Sequence, residues 1–164
     1  DDFSAKPGVP NAYGLLGADA NAIEAHKRPL SSMTPTIVFK EGAPWLVTGS
    51  PGGSRIISIV LQQIINVVDF GMNSADAAAR PRMHHQWEPD RLQLDPGFSP
   101  DSIHLLETMG HDVQLSTRAW GSVQNVMSQD GRFFGGADPR AADAAALGPD
   151  GLECLNNAVA CSLP

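Results

Sequence analysis

Two alternating apolar runs frame a tight turn in the first third of the chain. Residues 36–40 (TIVFK) predict a strand, residues 45–49 (WLVTG) predict its return strand, and the turn lies at residues 41–44. A hairpin brings both of its ends to one edge of a sheet. We therefore expect the serine pair at 31–32 and the glycine pair at 52–53 to lie close together in space.

A helical period follows from Gly52 to Phe70. Polar residues recur every three or four positions in one narrow stripe, made of Arg55, Ser58, Gln62, Asn66 and Asp69, with Gln63 beside it. Isoleucine, valine and leucine cover the remaining surface, which predicts a helix packed on more than one side. Gly71 is the expected C-cap.

Shorter elements complete the pattern. The predicted ones are a helix at 74–80 capped by Asn73 or Ser74, a strand at 91–94, a helix from Ser99 to Gly110, and strands at 112–116, 123–128 and 132–134. Residues 1–30 show no lasting period and predict loop. This order predicts an α+β fold with mainly antiparallel sheets flanked by helices. We divide the chain into a domain of residues 1–148 and a loosely attached tail of residues 149–164.

Composition narrows the function classes. The chain of 164 residues has a net charge of −7 and no basic run, which argues against a nucleic-acid partner. No apolar run reaches the roughly 18–20 residues that span a bilayer, so we expect no membrane partner. The N-terminus lacks the basic and apolar regions of a signal peptide.

The residues that bind metals or form disulfides are few. Cys154 and Cys161 lie near the end of the chain, and we favour free thiols over a disulfide there. Adjacent histidines on a strand point to opposite faces, so His84 and His85 cannot chelate one ion together. We predict no metal site and no cofactor. Asp138-Pro139-Arg140 predicts a structural turn with an ion pair.

Several long motifs carry a family resemblance. The stretches DDFSAKPGVPNAYGL, KRPLSSMTPTIV, LVTGSPGGSRI and GGADPRAADAAALG resemble the small subunit of bacterial gamma-glutamyltranspeptidases. The resemblance covers residues 1–148. It implies an N-terminal nucleophile hydrolase fold, an αββα sandwich of which this chain is a part, and a large subunit cut from the same precursor.

The resemblance also implies a catalytic threonine at the start of the small subunit, upstream of Asp1. Thr34, Thr36 and Thr48 are internal and do not match it. We therefore expect this chain alone to be inactive. The implied reaction is attack of the threonine on the γ-carbonyl of glutathione or another γ-glutamyl compound, followed by transfer to water or to an amino acid or peptide.

Five residues are assigned to this site by the matching motifs. Asp2 corresponds to the acid that pairs with the α-ammonium of the glutamyl group, and Ser31 and Ser32 to the pair that binds its α-carboxylate. Gly52 and Gly53 correspond to the oxyanion hole. Glycines that open a helix do leave free N–H groups at the positive end of its dipole. On the residues alone, an ordinary helix start explains them equally well, and a phosphate loop explains them poorly because the Lys-Ser/Thr pair is missing.

The remaining implied features are a lid and a compartment. Asn11 and Tyr13 fall where bacterial members carry a loop over the substrate, with the tyrosine at its tip. A surface aromatic in a loop is the alternative for Tyr13. The resemblance implies a periplasmic or secreted protein. Two alternative functions remain: a non-catalytic binding module, and a cephalosporin acylase relative that shares the scaffold.

Overall fold

The computed structural model describes residues 3–148, which form two β-sheets and three α-helices. The strands are β1 (Thr36–Lys40), β2 (Ala43–Gly49), β3 (Met83–His84), β4 (Leu92–Leu94), β5 (Val113–Leu115), β6 (Gln124–Gln129) and β7 (Arg132–Ala137). The α-helices are α1 (Ile56–Val68), α2 (Ser74–Ala79) and α3 (Pro100–Thr108), and short 3₁₀ turns span Asp19–Asn21 and Gly53–Arg55. The first sheet has the order β1-β2-β6-β7 and the second β3-β4-β5.

Among the seven strands of residues 3–148, the pairing is antiparallel except between β4 and β5, which confirms the mainly antiparallel α+β prediction. The predicted hairpin is present, with Ile37 opposite Val47. Its return strand begins at Ala43, two residues earlier than the pattern suggests. β4, α3 and β5 form the one parallel unit among the described residues, because a helix separates two strands that run in the same direction.

The long helix starts later than predicted. The α-helix begins at Ile56, and the preceding residues Gly53–Arg55 form a 3₁₀ turn. Gly52 has a φ of 152° and Gly53 a φ of 58°, in the region that favours glycine, so the chain turns sharply here instead of entering an α-helix. The two glycines are therefore a built turn in front of the helix.

The core lies between the first sheet and the two helices that cover it. Its main cluster consists of Leu46, Val67, Ala77 and Met127, with Val38, Trp45, Met72 and Phe134 packed around it. A second cluster joins Ile59, Ala78 and Val123. Helix α2 lies so close to β7 that a Cβ on Gly136 would come within 2.5 Å of the Ser74 carbonyl oxygen. The side of α1 that carries its polar stripe faces β3, so α1 is packed on two sides, as predicted.

The opposite face of the first sheet is apolar and exposed. Its side chains come from all four strands and include Ile37, Phe39, Val47, Val126 and Phe133, each between 40% and 60% exposed. The pairing of Ile37 with Val47 and of Val47 with Val126 places three of them side by side. A contiguous apolar face of this kind is typical of a surface that another part of a protein covers.

Most of the shorter elements agree with the sequence pattern. Asn73 and Ser99 cap α2 and α3 by accepting hydrogen bonds from Asp76 N and Ser102 N. Strand β3 was not predicted, because two residues are too few for an alternation to be recognised. No helix among residues 3–148 has the length and apolarity to cross a membrane. The predicted tail and both cysteines lie outside the described residues.

Candidate active site

A small cavity forms where the hairpin ends meet the first turn of α1. Its volume is about 50 Å³, and we call it the Gly53 cavity. It is lined by Tyr13, Leu15, Ser32, Met33, Gly53, Ser54 and Ile56. The sequence prediction that the serine and glycine clusters lie together is confirmed for Ser32 and Gly53. The loop that carries Tyr13 joins them at the same place.

The aromatic ring of Tyr13 closes one side of this cavity. A Cβ placed on Gly53 would come within 2.4 Å of the ring, so the ring lies directly on the glycine backbone. Only a residue without a side chain permits so close an approach. Tyr13 itself is 52% exposed, so its ring can leave without disturbing the core. A volume of about 50 Å³ holds one or two water molecules. A larger ligand therefore requires the ring to move outward.

The loop around Tyr13 is organised by the other residue assigned to the lid. The Asn11 side-chain oxygen accepts hydrogen bonds from the N–H groups of Tyr13 and Leu15, at 2.9 and 3.0 Å. A bridge between Pro10 and Leu16 closes the loop at its base. We call residues 10–16 the Tyr13 loop. Asn11 shapes this loop from within and does not line the Gly53 cavity.

The glycine turn presents backbone donors next to the cavity. Among residues 3–148, neither the Gly52 nor the Gly53 N–H donates a hydrogen bond to a protein acceptor. Both groups lie at the N-terminal end of the helix that continues as α1, where the dipole is positive. This is an arrangement that stabilises a negatively charged oxygen.

The two serines differ in their surroundings. Ser32 lines the Gly53 cavity, whereas Ser31 is exposed and its hydroxyl accepts a 3.2 Å hydrogen bond from Met33 N. The Ser31 hydroxyl therefore helps to turn the chain before the hairpin. Asp2, the residue assigned to the substrate ammonium group, lies outside the described residues.

A network of buried charges holds the C-terminal end of α2 in place. The Arg82 guanidinium lies 2.5 Å from the Asp138 carboxylate, and both side chains are almost completely buried. Arg140 joins Asp138 to Asp95, at 3.0 and 2.8 Å, which confirms the predicted ion pair within the Asp138-Pro139-Arg140 turn. Burial by itself would raise the pKa of Asp138. The N–H groups of Val123 and Arg140, together with Arg82, lower that pKa below its usual value. The network is structural, since none of its carboxylates lines the Gly53 cavity.

The family assignment rests on comparisons with known proteins. A family model described as gamma-glutamyltranspeptidase matches residues 1–148. The chain belongs to the gamma-glutamyltranspeptidase family. It is 60% identical to a glutathione hydrolase proenzyme of Escherichia coli over 144 residues, which cover 87% of this chain and 25% of the relative. The chain thus spans about a quarter of that protein's length.

Solved structures of gamma-glutamyltranspeptidases share the fold. The T380A mutant of the Helicobacter pylori enzyme superposes with a TM-score of 0.80 at 50% identity, covering 85% of this chain and 77% of the other. The Pseudomonas nitroreducens enzyme complexed with L-DON gives 0.81 at 39% identity, with coverages of 90% and 78%. The fold is that of the N-terminal nucleophile hydrolases, as the family resemblance implies.

The two adjacent histidines of this gamma-glutamyltranspeptidase chain face different surroundings. His84 is buried, with Nδ1 at 2.8 Å from Ser58 Oγ and Nε2 at 2.9 Å from Gln86 Oε1, while His85 pairs with Asp90 at the surface. Burial lowers the pKa of His84, and the nearby Arg55 and His85 act in the same direction. Between residues 3 and 148, no group of three or more His, Cys, Asp or Glu side chains is placed to hold a metal ion.

Sequence reasoning missed the polar residues behind the cavity. Ser54 and His84 each form a hydrogen bond with Gln86, which in turn donates to the Tyr13 carbonyl oxygen. No motif signals them, because Gln86 lies 73 residues from Tyr13 and the short strand β3 that places it is invisible in the pattern. Of the internal threonines, Thr48 is buried, and its hydroxyl donates to the Asn125 side-chain oxygen.

Proposed function

We propose that this chain is most of the small subunit of a γ-glutamyltransferase that hydrolyses glutathione and related γ-glutamyl compounds. The observation that carries the proposal is the Gly53 cavity. Ser32 and Gly53 line this cavity and the ring of Tyr13 closes it, while the N–H groups of Gly52 and Gly53 have no acceptor among residues 3–148. Hydroxyls suit a carboxylate, and free N–H groups suit an oxyanion. A γ-glutamyl group brings both to one site.

The amino-acid end of the substrate is recognised by charge and hydrogen bonds. Asp2 pairs with the α-ammonium group, and the hydroxyls of Ser31 and Ser32 donate to the α-carboxylate. The Ser31 hydroxyl oxygen accepts a hydrogen bond from Met33 N. Its hydrogen therefore remains available to donate to the substrate carboxylate. A carboxylate opposite an ammonium forms a charge-assisted bond, which is stronger than a bond between neutral groups.

The reaction proceeds through an ester. The hydroxyl of a threonine, supplied by a segment that precedes Asp1, attacks the γ-carbonyl carbon while its α-amine takes up the proton. The carbonyl oxygen becomes an oxyanion and accepts from the N–H groups of Gly52 and Gly53. Collapse of the adduct expels the amine, which receives the proton, and leaves a γ-glutamyl ester. Water or the amine of an amino acid or peptide then breaks the ester.

The remaining part of the precursor supplies the missing surface and the nucleophile. The E. coli relative is named a proenzyme, and this chain spans 25% of its length. The exposed apolar face of the first sheet is the surface on which the second sheet of an αββα sandwich packs. Without these parts the chain is inactive. A periplasmic or secreted location follows from the family resemblance.

Replacing Asp2 in the complete enzyme is the direct test of substrate recognition. We expect Asp2→Ala to raise KM for a γ-glutamyl anilide by roughly 10–100-fold, because a hydrogen bond to a charged group contributes about 1.5–3 kcal/mol. Steady-state release of the aniline measures it.

Two controls give this experiment its meaning. Asp1→Ala removes the neighbouring charge and is expected to change KM by less than about twofold. A glutaryl anilide lacks the α-ammonium, so its KM is expected to be insensitive to Asp2. A KM unchanged by Asp2→Ala removes Asp2 from the site. Preferred turnover of the glutaryl compound favours the cephalosporin acylase alternative, and no turnover of either favours a binding module.

A further inference from the structure

One side chain connects the Tyr13 loop to the framework behind it. The amide nitrogen of Gln86 donates to the carbonyl oxygen of Tyr13 and to that of Glu88, both at 3.0 Å. Its amide oxygen accepts from Ser54 Oγ and from His84 Nε2, both at 2.9 Å. Both donor hydrogens and both acceptor positions of the amide are therefore in use.

The orientation of this amide follows from its neighbours. Backbone carbonyl oxygens only accept, so the nitrogen of Gln86 must face Tyr13 and Glu88. The oxygen then faces Ser54 and His84, and His84 carries its hydrogen on Nε2. Its other ring nitrogen accepts from Ser58, a residue of α1. These assignments fix the donor and the acceptor of each hydrogen bond that links α1, through His84 and Gln86, to the Tyr13 loop.

These hydrogen bonds begin next to the backbone N–H groups of Gly52 and Gly53. Ser54 directly follows Gly53, and Ser58 lies one helical turn further along. Gln86 thus ties the loop to the same structure that holds the glycine turn, and the ring of Tyr13 lies on Gly53. We propose that Gln86 is a positioning residue that holds the Tyr13 loop closed over the Gly53 cavity. The kinetic consequences of this inference, but not its structural consequences, rest on the proposed function.

The Tyr13 ring must move outward to admit a ligand, while the hydrogen bond from Gln86 to the Tyr13 carbonyl oxygen holds the loop backbone in place. The expected effect follows from the fraction of molecules in which the loop backbone is held in this way and can cover bound substrate. When only a fraction of molecules is competent to bind, the apparent affinity falls by that fraction. Gln86→Ala in the complete enzyme is therefore expected to raise KM for a γ-glutamyl anilide about tenfold and to change kcat by less than about threefold. Hydrogen exchange of the peptide containing residues 10–16 is expected to become faster.

Three further variants separate loop closure from general support of the fold. Gln86→Glu keeps an acceptor for Ser54 and His84 but cannot donate to Tyr13, so we expect it to match the alanine variant. In a Tyr13→Ala background, Gln86→Ala is expected to change KM by less than about twofold. Gln62→Ala is the matched control. Gln62 also bridges α1 and β3, through Ser58 O and Met83, without reaching the loop.

The outcomes are distinguishable from failure of the proposed function. If the unsubstituted enzyme does not hydrolyse γ-glutamyl anilides, the proposed function fails. Faster hydrogen exchange of residues 10–16 in Gln86→Ala still supports the role of Gln86 in holding the Tyr13 loop. If the enzyme is active, an unchanged KM or unchanged exchange in Gln86→Ala overturns the assignment. So does a Gln86→Glu variant with normal KM, or a Gln62→Ala variant that reproduces the effect.

Discussion

Gly52→Ala in the complete, processed enzyme is expected to lower kcat for a γ-glutamyl anilide by about 10²–10³-fold, the cost of losing one oxyanion donor. The φ of Gly52 is 152°, where residues with side chains are strained, and an added Cβ would lie 3.2 Å from the buried Ile59. The turn must rotate to relieve this strain, which moves the N–H groups of Gly52 and Gly53. Steady-state and single-turnover rates measure the loss.

A nearby glycine provides the control for this prediction. Gly49→Ala adds a Cβ with no neighbour within 4 Å, and Gly49 has no positive φ, so we expect kcat to change by less than about twofold. KM is expected to change little in Gly52→Ala, because the oxyanion forms only after attack. A Gly52→Ala enzyme with normal kcat would show that these donors do not serve the reaction.

The second large effect concerns the buried charges. Arg82→Ala is expected to lower the free energy of unfolding by about 3–5 kcal/mol, because it breaks a buried ion pair and leaves Arg140 as the one remaining cation at Asp138. The urea midpoint of the assembled enzyme measures the change, with the subunits kept at fixed concentration.

An exposed ion pair of similar geometry is the matched control. Arg91 and Asp112 lie 2.8 Å apart, but their side chains are 44% and 61% exposed. Arg91→Ala is expected to cost less than about 1 kcal/mol. The pKa of Asp138 is lowered by the fold, so the contribution of its carboxylate is complete above the ordinary carboxyl pKa and is lost as the pH falls through the lower, folded value. Equal effects of the two arginine substitutions would contradict this account.

Local patterns predicted what depends on neighbouring residues. The hairpin of β1 and β2 and the caps Asn73 and Ser99 follow from alternation and turn chemistry, and all of them are present. The meeting of Ser32 with Gly53 could be predicted because a hairpin determines where its ends lie. The resemblance to gamma-glutamyltranspeptidases added the roles of these residues, which remain predictions.

Contacts between distant residues were beyond the pattern. Arg82 and Asp138 are 56 positions apart, and the residues next to each of them in the sequence do not indicate that the two side chains pair. Gln86 depends on a two-residue strand for its position. The start of the long helix was placed too early, because the pattern shows that a helix follows the glycines but not that Gly52 and Gly53 take positive φ values. Periodicity predicts which face of a helix is apolar. It does not predict the backbone conformation of the residues that precede the helix.

A crystal structure of the complete enzyme with bound L-glutamate tests the central claim most directly. We predict the glutamate γ-carboxylate oxygen at about 3 Å from the N–H groups of Gly52 and Gly53. Its α-carboxylate is predicted to accept from Ser31 and Ser32, and the Tyr13 ring to cover it. Glutamate bound at another place, with the Gly53 cavity empty and its donors facing water, would contradict the account.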